Sequence, residues 1–119
     1  LMLQRAIGNL LSNAIRHTPT AGEVSVTIAS VANEKIEIAV QNTGETIPAE
    51  HLPRLFDRFY RADSARQRTT EGSGLGLAIS RSIAVAHGGN VGVTSSDGLT
   101  RFVIVLPAGV VGETGKPIS

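Results

Sequence analysis

A chain of 119 residues with 41% apolar and 18% charged residues fits one globular domain with its own core. A net charge of +1 argues against an extended nucleic-acid or membrane-surface interface, and the absence of cysteine excludes disulfides and thiolate metal sites, which suits a reducing compartment. No apolar run reaches the length of a membrane span and no signal peptide is visible. The sequence opens inside a helical pattern, at Leu1-Met2-Leu3, so a fragment of a longer protein is expected.

Residues 1–17 read as a helix. Leu3, Ile7, Leu10, Leu11 and Ala14 repeat at the spacing of one buried face. Asn9, Asn13 and Arg16 are four and three residues apart, which puts them on another strip of the same helix. Asparagine is a poor interior helix former. Two of them one turn apart need either solvent or a task, and spacing alone leaves both open. Thr18-Pro19-Thr20-Ala21-Gly22 ends the helix.

Val24, Val26 and Ile28 alternate with Ser25 and Thr27, which predicts a half-buried strand. A turn at Ala32-Asn33-Glu34 leads to Ile36, Ile38 and Val40, the second strand of an antiparallel hairpin. That strand is expected to end in the polar turn from Gln41 to Pro48, with Asn42 at the end of the sheet. A turn asparagine is the plain reading of that residue. Residues 48–55 predict a short helix or turn.

Leu55-Phe56-Asp57-Arg58-Phe59-Tyr60-Arg61 holds three of the four aromatic residues. Residues 54–71 contain five arginines, and no apolar periodicity runs from Ala62 to Gly74. A loop of that length without periodicity is functional or disordered. An aromatic plug at its base and arginines along it would suit a lid over an anion, mobile over 62–73 in an empty site. The alternative is a solvated loop whose arginines pair with Asp57, Asp63 and Glu71.

Gly72-Ser73-Gly74-Leu75-Gly76-Leu77 feeds the next helix, with Leu75, Ile79, Ile83 and Ala86 on its buried face. Glycine lets a backbone approach a ligand closely. A helix N-terminus adds free N–H groups and partial positive charge, a suitable place for phosphate. Gly88-Gly89 ends this helix. Val91 and Val93 start a strand, Ser95-Ser96-Asp97-Gly98 reads as a turn, and Arg101 to Leu106 is the last strand. Residues 108–119 show no periodicity and are expected to be disordered. The sum is α+β: two helices and a short third against about four strands.

Other phosphate and catalytic signatures fail. A dinucleotide fingerprint needs a further glycine where Leu77 stands and a strand just before the loop. A Walker A loop needs Lys-Ser or Lys-Thr, whereas Lys116 precedes Pro117. His17, His51 and His87 lack metal-ligand spacing.

Together these segments resemble the ATP-binding catalytic domain of bacterial sensor histidine kinases, in the GHKL (Bergerat) superfamily. The likeness covers residues 1–107 and rests on blocks in the right order. Asn9-Leu10-Leu11-Ser12-Asn13-Ala14-Ile15-Arg16-His17-Thr18 is similar to the N box, and Asn42-Thr43-Gly44-Glu45-Thr46-Ile47-Pro48 to a variant G1 box. Leu55 to Arg61 resembles the F box, Gly72 to Ile79 the G2 box, and Gly98-Leu99-Thr100-Arg101-Phe102 the final glycine-threonine element. The resemblance implies a two-layer α/β sandwich whose mixed, mostly antiparallel sheet is covered on one face by about three helices.

The resemblance also implies roles. ATP would be the phosphoryl donor and Mg²⁺ its metal, with the amide oxygen of Asn13 as protein ligand. Asn9 would lie beside the phosphates, at a position where ATPase relatives carry a glutamate base; an amide cannot do that work, which fits transfer to histidine better than hydrolysis. Arg16 stands where lysine is usual. Asn9, Arg16, Arg58 and Arg61 are the implied catalytic set, the last two stabilising the transferring phosphoryl group. His17 would lie near the adenine and Asn42 would accept from its amine, Gly72, Gly74 and Gly76 would let backbone N–H groups approach the phosphates, and Gly44, Ile47, Ser73, Leu75, Leu77 and Thr100 would complete the nucleotide-binding set. Asn42 replaces the family's aspartate and Thr46 its second glycine. With the run Pro53 to Arg61, the asparagine variant resembles the copper/silver and other heavy-metal sensor kinases.

The implied partners are a phosphoacceptor histidine domain of the same kinase dimer and a downstream response regulator, with no nucleic acid and no direct membrane contact. The phosphoacceptor motif, a histidine followed by an acidic residue in a helical hairpin, is missing: His51 precedes Leu52-Pro53. The domain is therefore expected to bind ATP without phosphorylating itself, on the cytoplasmic side of an inner-membrane sensor. The runner-up readings are a GHKL-type ATPase or serine kinase acting on a partner, and a binding module with weakened nucleotide affinity.

Overall fold

The first helix, α1 (Met2–His17), forms where the periodicity places it. Its fully buried line is Ala6, Leu10 and Ala14, while Leu3, Ile7 and Leu11 flank that line half-buried. The expected stripe is thus rotated toward alanine, because α1 meets a second helix as well as the sheet. The computed structural model describes residues 2–32, 34–57 and 76–108. The arginine-rich loop, the expected lid over 62–73 and residues 109–119 of the expected tail lie outside the described residues.

Strands β1 (Val24–Val31), β2 (Lys35–Thr43), β3 (Asn90–Ser96) and β4 (Leu99–Pro107) form one sheet in the order β1-β2-β4-β3. Every described strand pair is antiparallel, so no parallel pair makes the sheet mixed among the described residues. A 3₁₀ turn (Ala49–Arg54) occupies the place of the expected short helix. Helix α2 (Gly76–Ala86) returns the chain to the edge strand β3.

One face of the sheet carries Ile36, Ile38 and Val40 of β2, Phe102, Ile104 and Leu106 of β4, and Val91 and Val93 of β3. Helices α1 and α2 pack on that face to close the core. Phe56 plugs it from below, with its ring edge-on to Phe102 at 6.0 Å and 89°. The helices meet through small residues: the Ser80 hydroxyl, fully buried, donates to the Ala6 carbonyl at 2.9 Å. Ile83 and Ala84 complete the buried line of α2, whereas Ala86, expected inside, is exposed.

Three strand expectations shift. β1 is an edge strand and not half-buried: Val26 and Ile28 lie opposite Val40 and Ile38 yet are 43% and 67% exposed, because the helices do not reach over that edge. β2 continues through Asn42 to Thr43, so Asn42 is a paired strand residue, opposite Val24 and Thr100. Ser95 and Ser96 belong to β3, and the turn shrinks to Asp97-Gly98, both with positive φ. An Asp-Gly pair takes the two-residue turn whose twist matches the strands, and so draws the serines into the ladder.

Candidate functional site

Two groups of contacts lie at the two ends of the strip of α1 from Asn9 to His17. At the first end the Nδ2 of Asn9 donates to the carbonyl of Gly76 at 3.3 Å. Gly76 is the first described residue of α2, so the asparagine strip of α1 meets the N-terminal part of that helix, the end that carries partial positive charge. A Cβ built on Gly76 would have the Asn9 side chain as its nearest neighbour, at 3.9 Å. Among the described residues nothing else lies within 4 Å of that position. Leu77 follows half-buried against the core.

One turn on, the Asn13 side-chain oxygen accepts from Nη2 of Arg16 at 3.1 Å. Asn13 is half-buried and Arg16 exposed. Among the described residues no cluster of three His, Cys, Asp or Glu could hold a metal. The strip offers two amide oxygens, Oδ1 of Asn9 and Oδ1 of Asn13, and the resemblance points to that of Asn13 for a metal. A single neutral oxygen suits a hard cation that keeps most of its waters and takes other ligands from phosphate, as Mg²⁺ does.

The second end lies where α1 stops. Thr18 caps the last turn by donating its hydroxyl to the Ala14 carbonyl at 2.5 Å. Gly44 passes so close that a Cβ there would come within 2.9 Å of the His17 carbonyl oxygen, so no other residue fits. His17 itself is exposed. From Asn9 to His17 is about two helical turns, a rise of roughly 12 Å.

Behind Gly44 the core face of the sheet ends in a polar row. Asn42 of β2, Thr100 of β4 and Ser95 of β3 are cross-strand neighbours. Asn42 and Thr100 are buried, at 4% and 5% exposure. The Asn42 Nδ2 donates to the Thr43 carbonyl at 3.0 Å, which assigns the amide and leaves Oδ1 as its acceptor. The Ser95 and Thr100 hydroxyls share a hydrogen bond of 2.8 Å. Ile47, half-buried against the core, gives its backbone N–H to Ser95 Oγ at 2.8 Å. Polar groups buried in a row and all hydrogen-bonded make a rigid floor.

The structure thus brings Asn9 to Gly76, Asn13 to Arg16, and Asn42 to Thr100 with Gly44 and Ile47 nearby. Arg58, Arg61, Gly72, Ser73, Gly74 and Leu75 lie outside the described residues. Sequence reasoning missed Ser95 as part of the floor and Thr46, whose Oγ1 accepts from the Gly98 N–H at 2.8 Å, as a tie to the β3–β4 turn. Ser95 looked like a turn serine, and only the Asp-Gly pair next to it could have signalled a longer strand. A separate open groove of about 410 Å³ runs along α2, lined by Phe56, Ala78, Arg81, Ser82, Val85 and Ala86. Among the described residues that line it, none is a candidate site residue from the sequence.

A layered α/β fold with an asparagine-bearing helix, a buried polar strand end and a glycine at a helix N-terminus defines an ATPase-type domain. The chain belongs to the histidine kinase-, DNA gyrase B- and HSP90-like ATPase family, whose model matches residues 1–110. Within it the relatives are sensor histidine kinases. The chain is 59% identical over 108 residues to the sensor histidine kinase CusS of Escherichia coli strain K12, covering 91% of this chain and 22% of that protein. It therefore spans about a fifth of that relative's length. Among solved structures, the mycobacterial sensor histidine kinase MprB superposes with a TM-score of 0.76 at 36% identity, covering 87% of this chain and 70% of that one. Full-length ShkA in complex with AMPPNP gives the same TM-score at 29% identity, covering 89% of this chain and 21% of that one. No described helix is long and apolar enough to cross a membrane.

Proposed function

We propose that the domain binds Mg-ATP along α1 and presents its γ-phosphoryl group to a histidine on a separate dimerisation domain of the parent kinase. The observation that carries this reading is the spacing of the two ends. The Asn9–Gly76 contact and the Gly44–His17 contact are about two turns apart on one helix, roughly 12 Å, a span that an extended nucleotide bridges. The complex of full-length ShkA with AMPPNP supports a nucleoside triphosphate as the ligand of this fold.

On this reading Asn42 Oδ1 accepts from the exocyclic amine of adenine, because its Nδ2 is already committed to Thr43. Ile47 packs against the ring, Gly44 leaves room for it, and Thr100 steadies the floor. At the other end the N-terminus of α2 and the glycines before it receive the phosphates. Asn9 and Arg16 hold phosphate oxygens, Asn9 without base chemistry. Asn13 would hold the metal, with Arg16, exposed and now bonded to it, free to reach phosphate instead. Mg²⁺ held there would supply neutralisation of phosphate charge. Arg58 and Arg61 are assigned to the same transferring group. Phosphoryl transfer rests on positioning and charge neutralisation more than on covalent participation by the protein, and these amides and guanidiniums supply both.

The parent is read as a heavy-metal sensor of the inner membrane, with this domain on the cytoplasmic side and a response regulator downstream. Calorimetric titration with ATP, with and without Mg²⁺, tests the binding step. Saturation below millimolar ATP is expected, and its absence would sink the reading. A separately made histidine-bearing helical hairpin, mixed with the domain and γ-labelled ATP, tests transfer. Acid-labile label on the hairpin is expected; turnover without it would make the domain a hydrolase.

A further inference from the structure

The loop from Gly44 to Ile47 is tied to the β3–β4 hairpin at each end. The Gly44 N–H donates to the Gly98 carbonyl at 2.9 Å. The Gly98 N–H returns the bond to Thr46 Oγ1 at 2.8 Å, so a single turn glycine holds two residues of the loop. One residue on, the Ile47 N–H is held by Ser95 Oγ, which bonds to Thr100 Oγ1, the cross-strand neighbour of Asn42. These contacts join segments about fifty residues apart in the chain.

Two consequences follow. The Gly44 and Ile47 amides are already occupied, so the loop offers a ligand ring no backbone donor from these positions. Discrimination then falls to an acceptor, Asn42 Oδ1, and to the apolar side chain of Ile47. An acceptor at that place favours a ring edge carrying an amine and disfavours one carrying a carbonyl, whose oxygen would oppose it. The acceptor is useful only if the loop in front of it stays at one distance, and Thr46 and Ser95 are the two side chains that fix that distance.

The geometry points to Thr46 and Ser95 as positioning residues that set the preference for adenine over guanine. This inference rests on the adenine-nucleotide reading of the site. Both hydroxyls are engaged within the protein, Thr46 with Gly98 and Ser95 with Ile47 and Thr100. Thr46, standing where the family pattern has glycine, is a tether and not a loss of function.

The test compares ATP and GTP binding to the wild-type domain, Thr46→Val, Thr46→Ser and Ser95→Ala by calorimetry, with amide exchange at Ile47 measured in each. Thr46→Val and Ser95→Ala are expected to weaken ATP binding about 5- to 10-fold, the scale of one neutral hydrogen bond, and to leave GTP binding within twofold. The ATP/GTP ratio therefore falls, Ile47 exchanges faster in Ser95→Ala, and Thr46→Ser restores the ratio. A general loosening of the fold would lower both affinities together, and that result overturns the inference. So does an unchanged ratio in both variants. A wild-type domain that binds ATP but fails these tests refutes the positioning role alone; a wild-type domain that binds no ATP refutes the nucleotide reading and this inference with it.

Discussion

Gly76→Ala separates a glycine needed for the fold from one needed for a ligand. Among the described residues the added Cβ meets nothing nearer than the Asn9 side chain at 3.9 Å, an ordinary van der Waals distance. The apo domain should therefore tolerate it. Alanine also restricts the unfolded chain and favours helix, a gain of about 0.4–1 kcal/mol. For a domain of this size that raises Tm by roughly 2–6 °C. The effect on nucleotide should have the opposite sign. If phosphate lies against this backbone, the methyl group occupies its approach and removes a charge-assisted hydrogen bond of about 1.5–3 kcal/mol, which is about 10- to 100-fold in Kd. Thermal melts with and without Mg-ATP read both effects in one experiment. The expected pattern is a higher apo Tm with a smaller ligand-induced rise. A lower apo Tm would refute the packing argument, and an unchanged ligand shift would move the phosphates away from α2.

Gly89→Ala is the contrasting case: its Cβ would fall 1.8 Å from the Val105 carbonyl oxygen, so the variant should lose its folded circular-dichroism signal near room temperature. Asn42→Asp replaces the Nδ2 that donates to Thr43 with an oxygen facing that carbonyl, in a side chain only 4% exposed. A loss of about 1–3 kcal/mol in urea unfolding of the apo domain is expected, and equal stability would show that this side chain turns freely. Phe56→Ala empties the plug against Phe102 and should lower stability by about 3–5 kcal/mol, whereas a loss under about 1 kcal/mol would mean that Phe56 is peripheral to the core.

Much of this was legible in the chain. Helix α1, helix α2 and the β1–β2 hairpin follow from periods of 3.6 and 2, which require only that one face be apolar. Asn9 and Asn13 stood out because helices disfavour asparagine. What stayed hidden depends on tertiary neighbours. Ala6, Ser80 and Ala84 are buried because two helices approach closely there, and small residues carry no apolar signal that announces it. Val26 and Ile28 look like core residues, and their exposure depends on how far the helices extend. Ser95 and Thr46 are ordinary polar residues until the fold sets them across from Ile47 and Gly98.

The strand order β1-β2-β4-β3 bears on how the domain is made. β4 is the last of the described strands in sequence yet lies between β2 and β3, and it supplies Phe102, Ile104 and Leu106 to the centre of the core. During synthesis β2 and β3 have no partner on their inner edges until Leu99 to Pro107 has left the ribosome. Assembly therefore waits for the end of the domain and then depends on contacts far apart in sequence, which makes folding slow for a domain of this size. Until that moment two strand edges and the apolar faces of both helices stay open, the kind of surface that makes an incomplete chain prone to aggregate.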